Sequence, residues 1–176
     1  MRRLYLLRHA KTETTAPSGR DRDRRLEDRG WADAALMGRW LRQHPPIPEL
    51  VMVSTAVRAQ QTWMAIAPEL GDDPAPVVAH LDALYSADAA DLLGIIHAAA
   101  MEDPKELVII GHNPGLHELA LALIRASGHS GLNDNLPTSG IAVIDFPVDD
   151  WSDVSFRSGE LVRFATPKLL KDDSDT

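Results

Sequence analysis

Short apolar runs along the chain alternate with longer segments in which apolar residues recur every three or four positions. The runs cover Leu4–Leu7, Leu50–Val53, Val77–Ala79, Leu107–Ile110, Ile141–Phe146 and Leu161–Ala165. Short continuous runs of this kind indicate strands that are covered on both faces of a sheet. The pattern therefore predicts six strands.

The segments between these runs have the residue spacing of amphipathic helices. We predict helices over Gly30–Gln43, Ala56–Leu70, Asp88–Met101 and Pro114–Ala126. Ser54 and Thr55 precede the second helix and are expected to cap it. Asn113 is expected to cap the fourth helix, with a proline at the first helical position.

The alternation of strands and helices predicts an α/β domain with a mostly parallel sheet and helices on both of its faces. We expect one domain over residues 1–170 and a disordered tail over residues 171–176. Two long polar segments, residues 11–29 and 127–139, are expected to be irregular. Loops of this length in a compact domain are usually functional or mobile.

Composition narrows the chemistry that the chain can perform. Its 176 residues include 18 Lys or Arg and 26 Asp or Glu, a formal net charge of −8. The lack of cysteine excludes disulfides, thiolate zinc sites and cysteine nucleophiles. An acidic protein is also a poor partner for nucleic acid or an anionic membrane. No apolar stretch has the length of a signal-peptide core or a membrane span, so we expect a cytoplasmic protein.

The charge is distributed unevenly along the chain. Residues 1–30 hold nine Lys and Arg against five Asp and Glu, a balance of +4, whereas the remainder has a balance of −12. The basic segment is either a solvated edge or an anion site on an otherwise acidic body, and charge alone does not separate the two.

Ionisable side chains stand where the predicted strands end. Arg8 and His9 follow the first strand, Arg58 begins the helix after the second, and His112 follows the fourth. Because ligands of open α/β sheets bind beyond the carboxyl ends of strands, we expect these side chains to converge. Arginine binds phosphate oxygens in pairs, and a helix N-terminus also favours an anion. A neutral histidine nitrogen can attack phosphorus when a backbone carbonyl holds the other ring nitrogen.

Three motifs in this order resemble the histidine phosphatase superfamily, also called the phosphoglycerate-mutase-like family. They are Leu7-Arg8-His9-Ala10, Ser54-x-x-x-Arg58-Ala59-x-Gln61-Thr62 and Gly111-His112-Asn113-Pro114-Gly115. Four further features are similar to the SixA-type phosphohistidine phosphatase branch: Ala10-Lys11, Leu84-Tyr85, Leu136-Pro137-Thr138 and Asp21-x-Asp23-Arg24-x-Leu26-x-x-x-Gly30. The founding signature of the superfamily has glycine where this chain has alanine at position 10. The resemblance extends over nearly the whole chain.

The resemblance implies a three-layer α/β/α sandwich and a role for each motif residue. His9 is then the nucleophile that becomes phosphorylated, Arg8 and Arg58 hold the phosphate, and His112 completes the pocket. It implies no metal ion and no other cofactor. Further substrate contacts are expected from residues for which surface solvation, capping or turn chemistry is the alternative explanation: Lys11, Arg24, Asn113 and Thr138.

Many members of the superfamily place a carboxylate after the third strand as a general acid. The corresponding region here holds Asp82 as the candidate, without the usual glutamate-containing motif. An alkoxide leaving group needs a proton donor, an effect of about 10²- to 10⁴-fold, whereas an imidazole leaving group needs less help. The missing motif therefore favours a substrate with a phosphorus–nitrogen bond, such as phosphohistidine.

The leading prediction is a phosphatase that forms a phosphohistidine intermediate on His9 and acts on phosphohistidine of a partner protein. One alternative is a small-molecule phosphomonoesterase or a mutase of the same superfamily, although a mutase usually needs longer capping insertions. The other alternative is a non-catalytic phosphate-binding adaptor. We expect a monomer that has a phosphorylated substrate as its partner and binds neither nucleic acid nor membranes.

Overall fold

The computed structural model describes residues 1–72, 74–126 and 130–174. Each predicted apolar run forms a strand of one six-stranded sheet, usually extended by a residue or two at its ends. The strands are β1 (Arg2–Arg8), β2 (Leu50–Ser54), β3 (Val77–Leu81), β4 (Glu106–Gly111), β5 (Ile141–Phe146) and β6 (Glu160–Ala165).

The four predicted helices are present, and two further helices lie near the end of the chain. The helices are α1 (Asp28–Gln43), α2 (Val57–Leu70), α3 (Ala89–Ala98), α4 (Gly115–Leu123), α5 (Ser130–Asp134) and α6 (Pro167–Ser174). Within the described ranges, no helix combines the length and apolar character needed to cross a bilayer.

The strands follow one another across the sheet in the order β3-β2-β4-β1-β5-β6. The pairs β1·β4, β2·β4 and β2·β3 are parallel, whereas β5 is antiparallel to both of its neighbours. Five strands therefore run in one direction, which confirms the prediction of a mostly parallel sheet. The three adjacent strands β2, β4 and β1 end at the same edge.

The sheet separates two hydrophobic cores. Along β1, Leu4 and Leu6 pack into one core while Tyr5 and Leu7 pack into the other, as the alternation of side chains in a strand requires. Helices α3 and α4 contribute their apolar faces to the first core, and α1, α2 and α6 contribute theirs to the second. These layers confirm the expected α/β/α sandwich.

The expected caps and irregular segments differ in part from the structure. No side chain caps α2, because Ser54 and Thr55 bind residues from other elements instead. Asn113 does accept from the N–H of His117 at 3.2 Å, in the first turn of α4. In the second segment expected to be irregular, α5 forms over Ser130–Asp134, and residues 127–129 lie outside the described residues.

The tail that was expected to be disordered from residue 171 continues helix α6 as far as residue 174. Lys171 accounts for this difference, because its Nζ lies 2.7 Å from a carboxylate oxygen of Asp33 in α1. Asp33 is itself buried, so the pair attaches the last helix to the sandwich. Residues 175 and 176 lie outside the described residues.

Helix α1 approaches the segment after β1 so closely that only glycine fits at Gly30, where a Cβ would lie 2.1 Å from the carbonyl oxygen of Lys11. We predict that Gly30→Ala destabilises the protein by about 1–3 kcal/mol, because the backbone must move. Gly94→Ala in α3 is the matched control, since a Cβ there meets nothing within 4 Å. It should be neutral or stabilising by up to about 1 kcal/mol. Urea unfolding measures both, and equal effects would contradict the close approach.

Candidate active site

The ends of β1 and β4 hold the two histidines of the motifs side by side. Arg8 pairs in register with Gly111, and the N–H of His9 donates to the carbonyl of Gly111 at 3.0 Å. From the turn before β5, the N–H of Ser139 donates to the carbonyls of Arg8 and His9 at 3.0 and 3.2 Å. This backbone frame leaves the rings of His9 and His112 with their centroids 5.2 Å apart.

The imidazole of His9 is buried, with 6% of the residue exposed. Its Nδ1 lies 2.8 Å from the carbonyl oxygen of Ala10. Because a carbonyl only accepts hydrogen bonds, Nδ1 carries the proton and Nε2 keeps its lone pair. Burial lowers the pKa of His9 to about 3. The ring is therefore neutral at physiological pH, which is the state that a nucleophile requires.

The hydroxyl of Thr62 connects the segment that carries His9 to helix α2, which carries Arg58. Its Oγ1 accepts from the N–H of Ala10 at 2.9 Å and donates to the carbonyl of Arg58 at 2.7 Å. Thr62 is fully buried, so both bonds form away from water. The backbones of the two motifs are thereby held at a fixed separation.

The ring of His112 lies between a serine and a tyrosine. Its Nε2 is 2.8 Å from Oγ of Ser54, and the ring of Tyr85 packs edge-on against it with centroids 5.6 Å apart. Burial lowers the pKa of His112 to about 4, and the positive charge of Arg58 acts in the same direction. Nδ1 of His112 is buried and has no hydrogen-bond partner among the described residues.

Two guanidinium groups complete the cluster. Arg58 lies in the first turn of α2 and is buried, while Arg8 is partly buried and donates to the carbonyl of Leu136 at 3.3 Å. Burial lowers the pKa of Arg8, and the charge of Arg58 lowers it further. Both also act on His9, so the four motif residues lie within electrostatic reach of one another.

Asp21, in the first long loop, is the counter-ion of Arg58. Nη1 of Arg58 donates to the carbonyl of Asp21 at 2.9 Å, and Nη2 donates to its Oδ2 at 3.0 Å. The hydroxyl of Tyr85 donates to the same Oδ2 at 2.6 Å. The bond from Tyr85, followed by that from Arg58, lowers the pKa of Asp21. The loop is thus attached to the site by a charged contact that fixes the arginine.

A cleft of about 400 Å³ opens at this edge of the sheet. Its lining includes Arg58, Tyr85, His112 and Asn113, and also the exposed Glu118. Gly115 also lines it, and a Cβ there would lie 2.1 Å from the carbonyl oxygen of Ala87. Glycine therefore lets the start of α4 and the loop before α3 form one continuous wall.

Residues 4–120 match the family model of the histidine phosphatase superfamily (branch 1). The chain belongs to the histidine phosphatase superfamily. It is similar to the uncharacterized protein ML1117 of Mycobacterium leprae, with 36% identity over 171 residues that cover 92% of this chain and 100% of the relative.

Two solved structures share the fold of the chain. A protein from Agrobacterium tumefaciens assigned as the phosphohistidine phosphatase SixA is 30% identical, with a TM-score of 0.76 over 94% of this chain and 99% of the other. A mycobacterial glucosyl-3-phosphoglycerate phosphatase is 16% identical, with a TM-score of 0.67 over 94% of this chain and 100% of the other, and shares the fold. The resemblance that the motifs indicate is therefore confirmed at the level of the superfamily.

The structure brings the four motif residues together and distributes the other predicted contacts around them. Arg24 lies beside the cluster, with Nε 3.3 Å from Oδ1 of Asp21. Asn113 lines the cleft, and its Nδ2 donates to the carbonyl of Leu136 at 2.8 Å. Thr138 is half-buried in the turn before β5. Lys11 is exposed, with Nζ 3.8 Å from a carboxylate oxygen of Glu27.

The lining of the cleft includes Arg58 and His112 but not Arg8, His9 or Asp82, so the role of Asp82 is judged from its exposure and its partners. Its side chain is 83% exposed, and Oδ1 accepts from Nη2 of Arg22 at 2.6 Å and from the hydroxyl of Thr55. The bond from Thr55, followed by that from Arg22, lowers its pKa. An ionised carboxylate has no proton to donate, so this geometry gives no support to Asp82 as a general acid.

Unpartnered polar atoms concentrate at the site. In the part of the chain that the structure describes, six buried side-chain nitrogen or oxygen atoms lack a hydrogen-bond partner. One is Nε of Arg2, and the other five are Nε of Arg8, Nε of Arg24, Nε of Arg58, Nδ1 of His112 and Oγ of Ser139. Nε of Arg24 forms an ion pair with Asp21 at 3.3 Å but no hydrogen bond. Each such group destabilises the fold by about 1–3 kcal/mol, so their concentration at one place calls for a physical reason.

Sequence reasoning missed the residues that hold the functional groups in place, namely Asp21, Ser54, Thr62 and Tyr85. All four belong to motifs on which the resemblance depends, so the motif positions carried the available signal. Their roles were not visible because each one binds a residue at least four positions away, and usually one from a different element. Spacing along the chain does not encode such contacts.

The buried imidazoles should resist protonation. We predict that the ring resonances of His9 and His112 titrate far below the ordinary histidine value of about 6.5, near pH 3 and 4 respectively. Inorganic phosphate should raise both pKa values, because a bound anion favours the imidazolium form. NMR titration of ¹⁵N-histidine-labelled protein measures these shifts, with the urea-unfolded protein as the reference. Midpoints near 6.5 in the folded protein would contradict the burial argument.

Proposed function

We propose that the protein is a phosphatase that transfers the phosphoryl group of phosphohistidine on a partner protein to His9 and then to water. The observation that carries this proposal is the set of unpartnered donors around a neutral, oriented His9. Nε of Arg8 and Nε of Arg58 are buried donors without acceptors, and Nδ1 of His112 is buried without a partner, whereas a phosphoryl group offers only acceptors. Bound phosphate would satisfy these donors, and their placement supports stabilisation of the charge that is spread over its oxygens during transfer.

The reaction divides into two displacements at phosphorus. In the first, the lone pair of His9 Nε2 attacks phosphorus while the bond from phosphorus to the leaving nitrogen breaks. The electron pair of that bond stays on the leaving imidazole, which takes a proton from water. In the second, water attacks phosphorylated His9, loses a proton to solvent and releases orthophosphate. His9 returns to its neutral state, held by the carbonyl of Ala10 throughout.

The carboxylates around the cleft support a substrate whose leaving group needs no general acid. Asp21 is bound by Arg58 and Tyr85, and Asp82 by Arg22 and Thr55. Besides Asp21, the acidic residues that line the cleft are Asp88, which accepts from the N–H of Asp91 at the start of α3, and Glu118, which is exposed to solvent. A general acid at neutral pH needs a pKa that burial raises, and these contacts do the reverse for Asp21 and Asp82.

The similarity to the Agrobacterium protein assigned as SixA supports a protein-borne phosphohistidine as the substrate. The cleft is bordered by exposed residues at Ser86, Asp88 and Glu118, an arrangement that suits a phosphorylated side chain presented by another protein. The cytoplasmic location and the monomeric state stay predictions from the sequence.

A comparison of leaving groups tests the substrate class. We predict that a phosphohistidine peptide and p-nitrophenyl phosphate, whose leaving groups depend less on a proton donor than an alkoxide does, are hydrolysed about 10²- to 10⁴-fold faster than an alkyl phosphate such as glycerol phosphate. Values of kcat/KM for the three substrates give the result. Comparable rates on the alkyl phosphate would favour a small-molecule phosphatase with an undetected general acid.

Matched variants separate the parts of this proposal. His9→Asn should abolish turnover and the acid-labile ³²P label on the enzyme, while Asp82→Asn and Glu118→Gln should retain both because neither residue donates the proton. Phosphate binding without any transfer of label to His9 would instead identify a phosphate-binding adaptor.

We also propose that no metal ion takes part in the reaction. Arg8 and Arg58 already bring two positive charges together, and their mutual repulsion lowers the pKa of Arg8, so a divalent cation at the same point would be repelled. Dialysis against EDTA should therefore leave kcat/KM on p-nitrophenyl phosphate unchanged. Loss of activity that a divalent ion restores would contradict this proposal.

A further inference from the structure

Ser54 occupies a position from which it controls the proton of His112. It is the last residue of β2 and is fully buried, with its Oγ 2.8 Å from Nε2 of His112. The same Oγ accepts from the N–H of Ala56 at 3.2 Å. The carbonyl of Ser54 accepts from Nε2 of Gln60 at 2.8 Å, which anchors the residue from the side of α2.

Counting donors and acceptors distinguishes the two neutral tautomers of His112. If Ser54 donates its hydroxyl proton to Nε2, the proton of the imidazole is on Nδ1, and the hydroxyl is fully satisfied. If Nε2 carries the proton and donates to Ser54, the buried hydroxyl proton loses its acceptor. Nδ1 is unpartnered in both arrangements, so the second leaves two unsatisfied groups and the first leaves one.

We infer that Ser54 is a positioning residue that holds neutral His112 in the Nδ1–H tautomer, so that His112 donates a hydrogen bond to the phosphoryl group. The role in donation rests on the proposed function, whereas the tautomer is a property of the free protein. Phosphoryl oxygens only accept, so an Nδ1 lone pair at this place would repel them and an Nδ1–H binds them.

This assignment explains how a histidine with a lowered pKa still serves an anion site. Burial keeps His112 neutral, so it contributes no full charge to the pocket. Its ring centroid is only 5.2 Å from that of His9. An imidazolium at His112 would therefore place a positive charge beside the ring of the nucleophile. A neutral donor oriented by Ser54 supplies the hydrogen bond without adding a third positive charge to those of Arg8 and Arg58.

The test is the ¹⁵N spectrum of the histidine rings, recorded on the free protein at neutral pH. We expect His112 to show a protonated Nδ1 and an unprotonated Nε2 in the wild type. In Ser54→Ala the signals should move towards a mixture of the two tautomers, because the donor to Nε2 is gone. With p-nitrophenyl phosphate, kcat/KM of Ser54→Ala should fall with the share of Nδ1–H tautomer that is lost, about twofold when half is lost and about tenfold when nine-tenths is lost.

Two further variants keep the test decisive. Ser54→Thr retains the hydroxyl and should restore both the wild-type tautomer and most of the activity. Thr166→Val removes another buried hydroxyl, which accepts from the N–H of Leu169, and should leave the spectrum of His112 unchanged. If Ser54→Ala does not fold, the wild-type spectrum and Ser54→Thr still decide the tautomer.

The outcomes separate this inference from the proposed function. A wild-type His112 that carries its proton on Nε2, or a tautomer that Ser54→Ala does not change, would overturn the inference even in an active phosphatase. An Nδ1–H tautomer that depends on Ser54, in a protein without phosphatase activity, would support the positioning role and contradict the function. Inorganic phosphate should shift the Nδ1 signal of the wild type, and the absence of a shift would overturn the proposed donation.

Discussion

The site depends on one electrostatic constraint, which is that two guanidinium groups and two imidazoles are withdrawn from water at the same point. The imidazoles and the guanidinium groups differ in how burial changes their protonation. The imidazoles of His9 and His112 lose their protons, since burial lowers their pKa values to about 3 and 4. Arg8 and Arg58 stay charged, and only Arg58 has a carboxylate partner, Asp21. The remaining charge and the unpartnered N–H groups are compensated only when an anion binds, so the fold is less stable at this point than it would be with satisfied groups.

A rigid frame is needed to keep such a cluster together. The frame consists mostly of backbone groups from neighbouring strands, because β1, β4 and the turn before β5 fix the main chain around His9. Side-chain hydroxyls extend it: Thr62 connects the His9 segment to α2, and Ser54 connects β2 to His112. Buried hydroxyls suit this task, since each both donates and accepts and adds no charge to a cluster that already holds two.

Local patterns predict the frame well and predict the connections across it poorly. The apolar runs identify all six strands, and the motifs identify Arg8, His9, Arg58 and His112 at strand ends, because both depend on neighbours in sequence. The reversed direction of β5 leaves no trace in its run, since a buried strand has the same composition in either direction. Helix α6 has a local start signal, because the hydroxyl of Thr166 accepts from the N–H of Leu169, but it was missed because its other contacts are long-range: Leu170 packs against the second core and Lys171 pairs with Asp33, 138 positions away. The local rule predicts that Ser54 caps a helix, whereas its hydroxyl binds a residue 58 positions away.

Net charge is a poor guide to what this site binds, and the geometry explains why. The net charge of −8 is spread over the whole surface, where salt screens interactions over about 8 Å. The positive charge of Arg8 and Arg58 lies in a partly water-excluded place, where its field is stronger and less screened. Asp21, which contacts Arg58, also lines the same cleft, as do Asp88 and Glu118. Under the proposed function, we expect these carboxylates to repel extended polyanions, whereas one phosphoryl group can bind the two guanidinium groups when the neighbouring atoms of its carrier are neutral or basic. A phosphorylated imidazole on a protein surface meets that condition better than a phosphate within a polyanionic chain.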